Sequence, residues 1–286
     1  MKRMIAFSIF AFSALLASAS IAGDRIVIAG GDLTEIAFAL GAGDRVIAVD
    51  STSNFPAETA GKEQIGYVRR LSAEGILSLT PDLVIASHDA GPPTALSQIE
   101  AAGVRMVQGP EGDDTSAILA KIQFVADALD KSAEGEAMAK DVSQNLTEVA
   151  EKVAKLKDRP KVLFVLSVDR GTPMVGGANT SADSMIALAG AQNAAGDFEG
   201  FKPMSREAII QAAPDVILMM AQHAERSGGA KAVLERPEIA LTPAGQNGRA
   251  VTMEGMLLLG FGPRTPAAIA ELARELHPDD AAEAGL

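Results

Sequence analysis

An α/β fold of two similar lobes, each a mostly parallel sheet covered by helices and joined to the other by one long α-helix, is what the sequence predicts. Three observations lead there. Short apolar runs alternate with helical ones from Arg25 onward. One unit recurs: Glu74, Pro81 and Asp82 return as Glu207, Pro214 and Asp215, each 133 residues later. Both copies lead into apolar runs, Leu83-Val84-Ile85-Ala86 and Val216-Ile217-Leu218-Met219. Between the copies, Met138, Val142, Leu146, Val149, Val153 and Leu156 keep the three- and four-residue steps of one buried helical stripe.

The elements follow in order. Arg25 to Ala29 reads as a buried strand with Gly30-Gly31 as its turn, and Asp32 or Thr34 can cap the helix that runs through Leu40. Arg45 to Val49 is a second strand, opening into the polar loop Asp50-Ser51-Thr52-Ser53-Asn54-Phe55-Pro56. Leu83 to Ala86 and Val104 to Val107 complete four strands, separated by helices or loops. That alternation implies a parallel sheet covered on both faces. Ligands of such sheets bind beyond the carboxyl ends of the strands, where the Asp50 loop and the segment around Tyr67 fall.

Thr115 to Leu129 closes the first lobe, residues 23–130. The connecting helix, within 131–158, runs from about Ser132 to Lys157 and spans roughly 39 Å at 1.5 Å per residue. Arg159-Pro160 stops it, and the second lobe covers 159–286. There Lys161 to Leu166 is a strand, Gly171 to Asn179 a glycine-rich loop, and Thr180 or Ser181 caps a helix to Ala189. Arg249 to Met253 is another strand and Pro266 to Leu276 the final helix. The acidic tail after His277 is expected to fray. Two lobes on a rigid connector imply a clamshell with limited hinge motion.

Composition narrows the function. The 286 residues are 48% hydrophobic, enough for a sizeable core in one large or two modest domains. The absence of cysteine excludes disulfides, thiolate metal sites, a catalytic thiol and a lipidated N-terminal cysteine. A net charge of −12 argues against nucleic acid as partner, yet a few arginines in a cleft can still attract an anionic ligand. Lys2 and Arg3, the apolar stretch Met4 to Leu16 and the small residues ending at Ala19 or Ala22 read as a signal peptide, residues 1–22. The mature chain is therefore expected in the periplasm without a lipid anchor.

The chemistry gathers in Gly66 to Ala86, GYVRRLSAEGILSLTPDLVIA. Tyr67 is the only tyrosine, there is no tryptophan, and aromatic packing falls to ten phenylalanines. A tyrosine here could simply line a cleft. Its isolation beside Arg69 and Arg70 points also to a second role, since a nearby guanidinium favours the phenolate, and phenolate is a hard ligand suited to ferric iron. In an extended segment Arg69 would point to the same side as Tyr67. Glu74 and Glu207 suit the first turns of their helices, where the helix dipole favours an acid. Their equivalence in a duplicated fold would also let them dock a symmetric basic partner.

His88, His223 and His277 are scattered without metal-ligand spacing, although His88 and His223 both follow the third strands of their lobes. No P-loop, G-x-G-x-x-G fingerprint or G-x-S-x-G elbow is present, which sets an enzyme far behind a binding protein.

The sequence resembles the periplasmic binding proteins that serve importers of vitamin B12, ferric siderophores and haem, and within them the haem-binding members (HmuT, ShuT and PhuT type). The resemblance covers nearly all of the mature chain. It rests on the Gly66 segment, GGDLTEIAFALGAGDRVIAVDSTSNFP, GGANTSADSMIALAG, FKPMSREAIIQAAPDVILM and LLLGFGPRTP. It implies the class III clamshell fold and haem b, in the ferric state, as transported ligand, with no reaction catalysed. Tyr67 is implied as the axial iron ligand, and Arg69 as the basic residue beside it that hydrogen-bonds the phenolate or pairs with a propionate. Arg226, with Arg170 behind it, is implied as a second-lobe basic contact. Glu74 and Glu207 are implied to dock on an ABC importer permease with its ATPase, an outer-membrane haem receptor acting upstream. Some members add a histidine near the end of the second lobe's first strand; Leu166-Ser167-Val168-Asp169-Arg170 has none, which favours a single-tyrosine, five-coordinate site. A monomer is expected. The alternative on the same fold is a carrier for a ferric siderophore or corrinoid.

Overall fold

Residues 25–168 and 171–286 are described by a computed structural model. Residues 1–22, read from the sequence as a signal peptide, and Arg170 lie outside the described residues.

The first half contains β1 (Ile26–Ala29), α1 (Gly31–Ala39), β2 (Val46–Val49), β3 (Glu63–Gln64), α2 (Ala73–Ser78) and β4 (Leu83–Ala86). It continues with α3 (Pro93–Ala101), β5 (Arg105–Gln108) and α4 (Thr115–Ala128). All five strands are parallel, in the order β3-β2-β1-β4-β5. Strands β1 and β4 are wholly buried, as continuous apolar runs covered on both faces must be. The chain leaves β1 toward β2 on one side and returns to β4 on the other. The crevice between their carboxyl ends is thus the topological switch point.

The connector α5 (Ser132–Val153) packs against α4. The second half holds β6 (Lys161–Ser167), β7 (Met174–Gly176), α6 (Ser181–Leu188), β8 (Gln192–Asn193), β9 (Phe201–Pro203) and α7 (Arg206–Ala212). Then come β10 (Val216–Met220), α8 (Ala221–Arg226), α9 (Ala230–Leu234), α10 (Pro243–Asn247) and β11 (Ala250–Met253). Helices α11 (Gly255–Leu259), α12 (Thr265–Leu276) and α13 (Ala281–Ala284) end it. The sheet order is β11-β10-β6-β7-β9, parallel among the first three and antiparallel at β7, with β8 beside β6.

The internal repeat is reproduced bond for bond. Arg25 N donates to Asp82 and Asp82 N returns a bond to Arg25 O, while Lys161 and Asp215 make the same reciprocal pair. Ser72 and Ser205 each cap a helix by accepting from the amide three residues on. Thr80 and Ala213, also 133 apart, both take a left-handed φ of 48°.

Several local expectations need correction. Gly30, not Asp32 or Thr34, is the N-cap of α1, because the Thr34 hydroxyl is directed back to Gly30 O and to Ser53. The connector stops at Val153, so its 22 residues span about 33 Å rather than 39 Å. The glycine-rich stretch contains β7, which finds its partner β9 far along the chain. The tail after His277 folds as α13, with Ala281 and Ala284 buried and Lys157 paired to Glu283 at 2.9 Å.

One apolar cluster runs from β1 and α1 through α4 and α5 into β6 and α12. It forms a back wall common to both halves. Two further clusters stay separate, one under α2 and α3 and one under α7 to α9. The halves are thus fused at the back and divided at the front, and the carboxyl ends of both sheets border the division.

Candidate functional site

The front of the first sheet carries Tyr67. Val68 and Leu71, each 5% exposed, belong to the apolar cluster below it and pin the segment down. Burying two such side chains contributes about 1.5–3 kcal/mol each. Between these anchors the chain is not extended. Tyr67 has φ −82° and ψ 133°, but Val68–Arg70 wind into a 3₁₀ turn in which Arg70 N donates to Tyr67 O at 2.7 Å. Alternation therefore fails as a guide to Arg69. It is Arg70 whose guanidinium carbon lies 5.8 Å from the Tyr67 ring centre, a cation–π contact.

Arg69 turns to a residue that sequence reasoning missed. Its Nε and Nη2 reach Asp89 Oδ2 at 2.7 and 2.5 Å, and Ser87 Oγ holds Asp89 Oδ1 at 2.6 Å. Burial disfavours the Arg69 charge, but the hydrogen bond and charge of Asp89 outweigh it and raise the guanidinium above its usual value, with smaller contributions from Tyr67 and Asp113. Burial likewise opposes the Asp89 charge, and the Ser87 and Arg69 hydrogen bonds more than offset it, holding this carboxyl low. No motif announces Asp89. It sits in the loop after β4, at the switch point, and that topological position was the one available signal.

The Tyr67 side chain remains open: the residue is 38% exposed, and its phenol oxygen has no hydrogen-bond partner among the described residues. An exposed anionic-capable oxygen flanked by cations is a donor set suited to ferric iron. From the second half, Arg226 ends α8, is exposed, and makes no ion pair with a described residue. His223, also on α8, directs Nδ1 to Leu166 O at the end of β6. His88 is an exposed rim residue 3.4 Å from Glu111. Glu74 and Glu207 occupy equivalent exposed places in the first turns of α2 and α7. No group of three or more His, Cys, Asp or Glu able to hold a metal exists among the described residues.

The halves meet through the Asp50 loop. Buried Asp50 accepts bonds from Gly30 N, Thr52 N, Thr52 Oγ1 and Ser53 Oγ, fixing the loop at the end of β2. From it Asn54 donates to Glu254 at 2.8 Å, and Phe55 lies beneath Arg264. Two surface depressions lie elsewhere, about 360 Å³ around Arg159 and His277 and about 900 Å³ around Asn193 and Met204. Neither includes Tyr67.

The sequence profile of the periplasmic binding protein family matches residues 26–256. The chain belongs to that family. Among solved periplasmic binding proteins, the periplasmic haem-binding protein RhuT from Roseiflexus sp. RS-1, in apo form, is 43% identical with a TM-score of 0.86, covering 90% of this chain and 98% of its own. The periplasmic haem-binding protein BhuT, in complex with two haems, is 41% identical with a TM-score of 0.85 and the same coverages. The uncharacterized ABC transporter substrate-binding lipoprotein YvrC of Bacillus subtilis (strain 168) is 28% identical over 249 residues, 86% of this chain and 77% of its own.

Proposed function

We propose that this periplasmic binding protein carries ferric haem b between its lobes, with Tyr67 as the single axial iron ligand, and delivers it to an ABC importer. The observation that carries the reading is the unpartnered Tyr67 phenol beside Arg69 and Arg70, in a chain more than 40% identical to two haem carriers. Arg226 is the second-lobe cation for the haem's carboxylates, and Glu74 and Glu207 dock the permease. The protein catalyses no reaction and works as a monomer in the periplasm, downstream of an outer-membrane haem receptor. Unlike YvrC it is not lipid-anchored, as it has no cysteine.

A single oxyanion ligand holds ferric iron firmly and ferrous iron poorly, which suits a carrier that must release its cargo. The test exploits composition: intrinsic emission comes from Tyr67, the one tyrosine in a chain without tryptophan. Hemin should quench it stoichiometrically and give a tyrosinate-type ferric spectrum, while cobalamin and ferric siderophores should not bind. Tyr67→Ala should abolish that spectrum. Hemin without a Soret shift, or an unaltered spectrum in the variant, would overturn the reading.

A further inference from the structure

We propose that Asp89 is a positioning residue that holds the Arg69 guanidinium off the Tyr67 phenol oxygen, keeping that oxygen an undamped donor to bound ferric iron. The inference rests on the haem-carrier reading above and adds to it a residue and a direction of effect.

The geometry is over-determined. Asp89 receives Arg69 on one carboxylate oxygen, at 2.5 and 2.7 Å, and Ser87 on the other, at 2.6 Å. The loop that carries Asp89 is tied directly to the turn that carries Arg69. Gly91 N donates to Val68 O at 2.9 Å and Leu71 N donates to Gly91 O at 2.7 Å. Ser87 N in turn donates to Ala29 O at 2.7 Å, anchoring the loop to the end of β1. Asp89 therefore cannot drift from Arg69 without breaking backbone bonds between the two segments. The Tyr67 oxygen, although Arg69 is only two residues on, makes no hydrogen bond with any described residue, and Arg70 takes the ring face instead. Arg69 feels the charge of Tyr67, so a guanidinium released from Asp89 is close enough to act on that oxygen. A hydrogen bond to a metal-bound phenolate draws electron density from the oxygen and weakens its bond to iron, the ordinary way an outer partner tunes a ligand.

The test uses hemin-loaded full-length protein and resonance Raman excitation in the phenolate-to-iron charge-transfer band. Asp89→Asn should shift that band to shorter wavelength and lower the iron–phenolate stretching frequency. Arg69→Ala should not reproduce that shift to shorter wavelength, because it removes the guanidinium and its charge together. The double variant should match Arg69→Ala, since no guanidinium is left to release, and Asp89→Glu should restore the wild-type band in part. Should Asp89→Asn fold poorly, Ser87→Ala, which removes the second hold on the carboxylate, should give a smaller shift in the same direction. An unmoved band in the variants of Asp89 and Ser87 would overturn the assignment, as would Arg69→Ala shifting the band as far as Asp89→Asn. A wild-type protein without any tyrosinate spectrum would instead overturn the carrier reading, and this assignment with it.

Discussion

Arg264 of the second lobe places its guanidinium carbon 3.6 Å from the centre of the Phe55 ring of the first. The same guanidinium reaches Glu35 Oε2 at 2.9 Å, and Arg264 N donates to Glu35 Oε1 at 3.1 Å. The ring contact and the two bonds to one carboxylate tie the Phe55 loop and α1 to the segment before α12. Arginine serves both where lysine could not, since only a planar fork stacks and bonds together.

Removing Arg264 would strand a carboxylate whose side chain is 5% exposed. Breaking a buried pair on one side costs about 3–5 kcal/mol. Arg264→Ala should therefore lower the unfolding free energy by about 3–5 kcal/mol, and Arg264→Lys should recover only part of it. Adding Glu35→Gln to Arg264→Ala should also recover part, because the stranded charge is gone. Equal stability of wild type and Arg264→Ala in urea titrations would show that the latch contributes nothing.

Glu35 also gives the fold a pH signature. Burial raises its pKa above 4.5, Arg264 works against burial through charge and hydrogen bonds, and nearby Asp32, itself paired to Lys121, adds to the rise. The folded protein thus holds the Glu35 proton more tightly than the unfolded chain does. The stability linked to this proton is complete below about pH 4.5 and is lost as pH rises through the folded value. Glu35→Gln cannot ionise, so its stability relative to wild type should improve as pH rises from about 4.5 through the raised folded value. A constant difference across that range would contradict the shift.

The repeat, the parallel strands and the buried stripe of the connector were legible because each is written in neighbouring residues. The Asp89 clamp and the Glu35–Arg264 latch were not, since their partners stand 20 and 229 residues apart. The conformation around Arg69 was misread for a local reason: a 3₁₀ turn replaces the extended strand that alternation assumes. Strand β7 was hidden because three residues are too few to show a period of two, and its pairing with β9 is decided by tertiary contact.

Gly30 is a position where the backbone itself demands glycine. It has φ 146°, and a Cβ there would stand 2.9 Å from the Cβ of Ser87. Gly30→Ala should cost about 1–3 kcal/mol in backbone strain. It should also displace Ser87, the residue that holds Asp89, and so weaken hemin binding. Gly41, with φ 72° and no atom within 4 Å of a built Cβ, is the control. Gly41→Ala should lose only about 1–2 kcal/mol, the left-handed penalty, with hemin affinity unchanged. Equal hemin affinity in the two variants would sever the proposed link between β1 and the ligand site.

Glu74 and Glu207 lie in the first turns of helices whose serine caps are equivalent, Ser72 and Ser205, and both are exposed. Neither carboxylate makes an ion pair with a described residue, so both are available to a partner. A permease carrying arginines at matching separation would engage both at once, and the second contact would then benefit from the effective concentration set by the first. Reversing either charge alone should reduce haem uptake into cells, and reversing both should abolish it. Hemin titrations of the purified double variant should be unchanged, since neither residue touches the Tyr67 turn's hydrogen-bond network. Each reversal also places a cation at a helix N-terminus, at a cost of about 0.3–1 kcal/mol. A melting curve should therefore show only a small loss, which separates failed docking from failed folding, and undiminished uptake by the double variant would remove these two glutamates from the interface.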